Sequence, residues 1–155
     1  MVALYAWIFF GAKLYSDALL QLFFIVVQFY GWWNWSRSRA ESGEVVVLTL
    51  DSRARAGWAA GCLITTVAWG WLMHAQTDAS FPWWDASVAM MSVAAQILMS
   101  RRYLENWWLW SAVDLVAMPL YAAKSLWLTA GLYGVFLALS VWGLIGWGSA
   151  RRPNR

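Results

Sequence analysis

Asn106, Trp107, Trp110 and Asp114 place an amide, two indoles and a carboxylate within nine residues of an otherwise apolar stretch. On a helix, Asn106, Trp110 and Asp114 fall at i, i+4 and i+8 and share one face, with Trp107 beside it. A carboxylate at membrane depth is expensive and usually marks a pathway or a binding site. Its side chain is too short to snorkel to the interface, so it needs a partner: a hydroxyl or a positively charged ring of a substrate, or a hydrogen bond from a neighbouring helix. An indole face next to it suits a flat or cationic ring.

Further groups of this kind lie elsewhere. Gln21, Phe24, Gln28, Trp32 and Trp35 follow one another at helical spacing. Gln28 both donates and accepts, for a substrate or for another helix. Trp32 and Trp33 belong to a cluster at the end of the same segment, where an interfacial aromatic belt is the simpler alternative. Gln96 is another membrane-depth amide, and Tyr133 shares a face with Ser140 seven residues on. The candidate substrate-binding set is therefore Gln28, Trp32, Trp33, Gln96, Asn106, Trp107, Trp110, Asp114 and Tyr133. Nothing forms a nucleophile–base pair, a metal-ligand spacing or a phosphate-cradling glycine loop, so neither an enzyme nor a cofactor or metal is expected. The single histidine, His74, reads as interfacial, and Lys124 as solvated.

The elements that position these groups are membrane helices. Of 155 residues, 62% are hydrophobic and 12% charged, with a mean hydropathy of +0.51 and fifteen tryptophans; a soluble domain is about 25% charged. The length allows roughly five or six spans of about 20 residues. A net charge of +3 gives no reason to expect nucleic acid, and one cysteine excludes a disulfide within the chain. The apolar segments run over 2–12, which is too short to span, 18–35, 57–75, 84–100, 106–123 and 126–147, with a polar loop at 36–56 and a polar tail at 148–155. Pro119 is expected to kink the fifth segment.

Placing the 36–56 loop in the cytoplasm puts Arg37, Arg39, Arg53, Arg55, Arg101, Arg102, Arg151, Arg152 and Arg155 inside. Only Lys13 and Lys124 of the eleven basic residues then lie outside, so the positive-inside rule predicts a cytoplasmic C-terminus. An internal repeat appears at an offset of 112 residues. Leu14, Ala18, Leu20, Phe24, Gly31 and Trp35 match Leu126, Ala130, Leu132, Phe136, Gly143 and Trp147. Both copies run toward the cytoplasm, a parallel repeat of the kind found in SWEET-type transporters. Extending the register predicts that about one and a half helices of the first repeat are missing before Met1. A signal peptide explains the first segment poorly, because it has neither a basic start nor a small-residue cleavage site.

The stretch Gln28-Phe29-Tyr30-Gly31-Trp32-Trp33-Asn34-Trp35-Ser36 resembles the end of the third helix of PnuC-type vitamin transporters. Trp84-Asp85, the run Leu98-Met99-Ser100-Arg101-Arg102-Tyr103-Leu104-Glu105-Asn106-Trp107, Trp110, Asp114, Pro119-Leu120-Tyr121, Lys124 and Leu128-Thr129-Ala130-Gly131-Leu132-Tyr133 resemble that family's later signature. The resemblance implies an all-α integral membrane fold with SWEET-like parallel three-helix repeats and a linking helix (3+1+3). The first repeat (1–35) is shortened at its N-terminus, residues 57–75 form the linker and 84–147 the second repeat. It implies facilitated diffusion of nicotinamide riboside by alternating access in the bacterial inner membrane, with cytoplasmic phosphorylation trapping the substrate. Thiamine or riboflavin is the alternative cargo; a non-transporting remnant or accessory subunit is the alternative of another class. The expected partners are a small vitamin and the lipid bilayer, and a homo-oligomer is compatible with this reading.

Overall fold

The computed structural model describes residues 15–42, 46–77 and 81–150, and the chain separates into two units, Met1–Val46 and Val47–Arg155. The described part of the first unit is one helix, α1 (Tyr15–Ser42). It overruns the apolar segment ending at Trp35 by seven residues. A polar helix end does not stop at the boundary where hydropathy falls, and Arg39 in the last turn complements the helix dipole. The Arg37 guanidinium lies 5.8 Å from the Trp33 ring centre, and the Val46 amide donates to Ser38 Oγ at 3.4 Å. The short apolar segment at 2–12 and the tail at 151–155 lie outside the described residues.

The second unit holds α2 (Ser52–Gln76), α3 (Pro82–Ser100), α4 (Glu105–Ala123) and α5 (Trp127–Ala150). Asp51 caps α2 by accepting from the Ala54 amide at 2.7 Å, so this helix begins five residues before the apolar segment at 57. Pro82 opens α3, where its missing N–H costs nothing. Each helix packs on its neighbour in sequence, α2 on α3, α3 on α4 and α4 on α5. The core joins Val88 of α3 to Val113, Ala117 and Leu120 of α4, with Trp84, Trp110, Tyr121 and Tyr133 around it.

Much of the remaining surface is apolar: Leu63, Ile64 and Trp71 of α2 and Leu128, Trp142 and Ile145 of α5 are exposed. Such a surface belongs against lipid or other helices. Among the described residues, Ser52–Gln76 and Trp127–Ser149 are long and apolar enough to cross a membrane by themselves. The helices α3 and α4 have 19 residues each and carry Asp85, Glu105 and Asp114 among several indoles, which lowers their hydropathy. They meet the length requirement more narrowly than the expectation of five or six spans supposed.

One end of the unit is tied together by the loop before α2. Leu48 pairs with the α3–α4 turn: its amide donates to the Arg102 carbonyl at 2.9 Å, and its carbonyl accepts from Leu104 at 2.8 Å. Arg102 sits there at φ 67, a left-handed conformation costing about 1 kcal/mol in a residue other than glycine, which this pairing holds in place. Glu105 Oε1 collects the Leu50 amide at 3.1 Å and Arg55 Nε and Nη2 at 3.0 and 2.8 Å. One carboxylate thus joins the strap, the first turn of α2 and the first turn of α4. Glu105→Ala is expected to destabilise the protein by about 2 kcal/mol, the scale of charge-assisted hydrogen bonds. Thermal unfolding in detergent measures this, and an unchanged midpoint would contradict the assignment.

Candidate substrate site

Asp114 sits in the middle of α4, where the helix turns its inward face to α5. It is 2% exposed, and Ser140 Oγ of α5 donates to its Oδ2 at 3.0 Å. The helices approach closely here because α5 offers small residues. A Cβ on Gly143 would come within 2.5 Å of the Trp107 ring, and one on Gly134 would meet the Met118 methyl at 3.7 Å. Trp107 therefore lies flat on Gly143, with its ring edge-to-face against Trp147 at 5.5 Å. Trp107, Asp114 and Met118 lie along α4 at spacings of seven and four and meet Gly143, Ser140 and Gly134 in turn.

Beside this contact lies a cavity of about 290 Å³. Its aromatic walls are Trp107, Trp110, Tyr133 and Phe136, and its polar groups include Asp114, Ser140 and Ser92. Tyr133 stacks on Tyr121 at 5.1 Å and meets Phe136 edge-on at 5.8 Å, so the wall is braced from behind. Trp107 Nε1 and the nearby Ser111 Oγ are buried with no hydrogen-bond partner among the described residues. Indole faces, a carboxylate and hydroxyls can hold a flat ring bearing hydroxyl groups.

Four of the candidate residues, Trp107, Trp110, Asp114 and Tyr133, come together in this cavity. Asn106 is fully buried but serves the α3–α4 turn, its Nδ2 donating to the Tyr103 carbonyl at 2.6 Å. Gln96 is half-buried on α3 and does not line the cavity. Gln28, Trp32 and Trp33 are exposed on α1 in the other unit. Ser92 and Met99 line the cavity without having been singled out as candidates; both sit on one face of α3, seven residues apart, and that spacing was the available signal.

The other end differs from expectation. Lys124 is not simply solvated: its Nζ contacts both Asp85 oxygens, at 2.6 and 2.8 Å, and lies 5.9 Å from the Tyr121 ring centre. Trp84 Nε1 donates to the Val116 carbonyl at 3.0 Å, next to the turn that Pro119 interrupts. These contacts join the start of α3 to the end of α4. A larger groove of about 500 Å³ between α2 and α3 is lined mainly by apolar and small side chains such as Trp58, Met90, Ile97, Gly57 and Gly61. Its hydroxyl, Thr65 Oγ1, is bonded to its own helix. The groove has the surface of a helix-packing face and little that could orient a polar ligand.

An aromatic cavity with a carboxylate, set among helices with apolar outer faces, has the character of a small-molecule site in a membrane transporter. The family model described as nicotinamide mononucleotide transporter matches residues 1–149, and the chain belongs to that family. It is similar to the nicotinamide riboside transporter PnuC of Escherichia coli (strain K12), 29% identical over 99% of this chain and 74% of that one. It is also similar to the riboflavin/roseoflavin transporter RibM of Streptomyces davaonensis, 32% identical over 96% of this chain and 73% of the other. The crystal structure of the vitamin B3 transporter PnuC superposes with a TM-score of 0.70 at 28% identity, covering 96% of this chain and 68% of that one.

The packing of Trp107 on Gly143 makes a local test. Gly143→Ala is expected to displace the ring and to lower substrate uptake about tenfold, a loss of about 1.4 kcal/mol, at unchanged membrane level. Gly146→Ala adds a Cβ with nothing within 4 Å and is expected to leave uptake intact. Equal uptake by both variants would show that the Trp107 wall is not needed.

Proposed function

We propose that the chain moves nicotinamide riboside across a bacterial inner membrane by facilitated diffusion with alternating access. The observation that carries this reading is Asp114, buried beside Trp107 and Trp110 in the same cavity. Nicotinamide riboside is a pyridinium ring bearing a ribose and a carboxamide. A cationic ring over an indole face gains about 0.5–2 kcal/mol, and the carboxylate complements its charge or accepts from ribose hydroxyls. The similarity to a riboflavin transporter favours a second cargo within the family. The neutral isoalloxazine ring, however, has less use for a buried carboxylate.

In this reading α3, α4 and α5 form the second three-helix repeat and move as one body, and α2 is the linking helix. The C-terminus and the 36–56 stretch face the cytoplasm. This agrees with Arg53, Arg55, Arg101 and Arg102 gathering at one end of the second unit, while Lys124, paired to Asp85, stands at the other. Gln28, Trp32 and Trp33 are retained as proposed substrate contacts from α1, with Gln96 and Asn106 as weaker ones.

Two measurements test the proposal. Trp110→Ala and Asp114→Asn are each expected to cut uptake of labelled nicotinamide riboside at least tenfold, the value of one good contact, without loss of protein from the membrane; uptake equal to the unaltered chain would reject this cavity. For topology, Arg39→Cys in a Cys62→Ser background is expected to resist an impermeant thiol reagent in intact cells and to react after permeabilisation. Ready labelling in intact cells would reverse the orientation.

A further inference from the structure

Three acids in the second unit are at least partly buried, and their partners differ. Asp85 is paired with Lys124 and Glu105 with Arg55, so each of those charges is cancelled by a fixed cation. Asp114, the most buried of the three, has the neutral Ser140 hydroxyl as its hydrogen-bond donor among the described residues. Among the described residues, no lysine or arginine lines the cavity into which it opens. Ser140 is itself 5% exposed, held on α5 opposite the middle of α4. Its hydroxyl anchors Oδ2 and leaves Oδ1 without a donor among the described residues.

We propose that Ser140 is a positioning residue that sets the cavity's selectivity: by anchoring Asp114 through a neutral bond, it holds one carboxylate oxygen and an uncancelled negative charge toward the substrate, so that a positively charged ring is preferred over a neutral ring of the same shape. A cation at this position would cancel the charge, as Lys124 does for Asp85. An apolar residue would leave the carboxylate without a donor and free to turn about its side-chain bonds, and an unsatisfied buried charge is costly. A hydroxyl satisfies one oxygen and preserves the charge. The inference rests on the substrate reading above and adds the residue that selects the charge of the ring.

Nicotinamide riboside and its reduced form separate the effects, because a hydride converts the pyridinium into a neutral dihydropyridine while the ribose and carboxamide remain. Uptake of both would be measured in vesicles containing the full chain, with the amount of protein in the membrane determined for every variant. The unaltered chain is expected to prefer the cation. Ser140→Ala is expected to raise KM for the cation about tenfold, the value of one directed contact, with little change for the neutral form. Ser140→Thr, which keeps the hydroxyl, is expected to restore the preference, and Ser140→Ala is expected to add nothing to the ratio once Asp114→Asn is present. Several results would overturn the inference: an unchanged cation-to-neutral ratio in Ser140→Ala, equal loss of both substrates in Ser140→Ala and Ser140→Thr, or an additive effect in the double variant. Failure of the unaltered chain to transport either form would overturn the substrate reading and this inference together, whereas normal transport with an unchanged ratio would remove only the role of Ser140.

Discussion

A carboxylate in the middle of an apolar helix must find a donor, and the packing of α4 on α5 supplies one. Asp114 and Ser140 meet at 3.0 Å at the centre of the contact, with Trp107 seated on Gly143 at one end and Met118 over Gly134 at the other. The glycines bring the helices close enough for a short hydroxyl to reach a short carboxylate. That closeness also turns Val113, Ala117 and Leu120 onto α3, where they meet Val88 and complete the core. The cavity is what remains where the aromatic side chains around this contact do not fill the space, and it inherits Asp114, a buried acid that no cation pairs with among the described residues.

The ends of the unit handle charge differently. Glu105 gathers Arg55 and the strap at one end, and Asp85 gathers Lys124 at the other. Partly exposed pairs of this kind contribute only about 1 kcal/mol or less when isolated. Their more important effect is geometric, since they fix the helix ends on either side of the cavity. Between these paired ends, Asp114 is buried with no cation lining its cavity among the described residues.

How much of this could be read from the sequence depended on distance along the chain. Trp107, Trp110 and Asp114 stand within two turns of one helix, and helical spacing alone brought them together. The helical class and the family were legible from apolar runs and from the Glu105-Asn106-Trp107 signature. Asn106 was harder, because an inward-facing amide at the first turn looks the same whether it awaits a ligand or caps a turn: its Nδ2 bonds the Tyr103 carbonyl, while its Oδ1 is buried without a partner among the described residues. The Lys124–Asp85 pair spans 39 residues, and no local pattern joins them. The Leu48 bridge lies in the run Val45-Val46-Val47-Leu48-Thr49-Leu50, whose β-branched, apolar composition favours an extended segment but is masked by the charged residues on either side of it in the 36–56 loop. Helix ends were misjudged where polar residues continue a helix past its apolar part, as at Ser42 and Ser52.

The most direct measurement is a structure of the full chain with nicotinamide riboside bound. The ligand is expected in the α4–α5 cavity, its ring against Trp107 or Trp110 and within hydrogen-bonding or ion-pairing distance of Asp114, with the Ser140–Asp114 bond intact. A ligand seated in the groove between α2 and α3, or bound with Asp114 untouched, would contradict it.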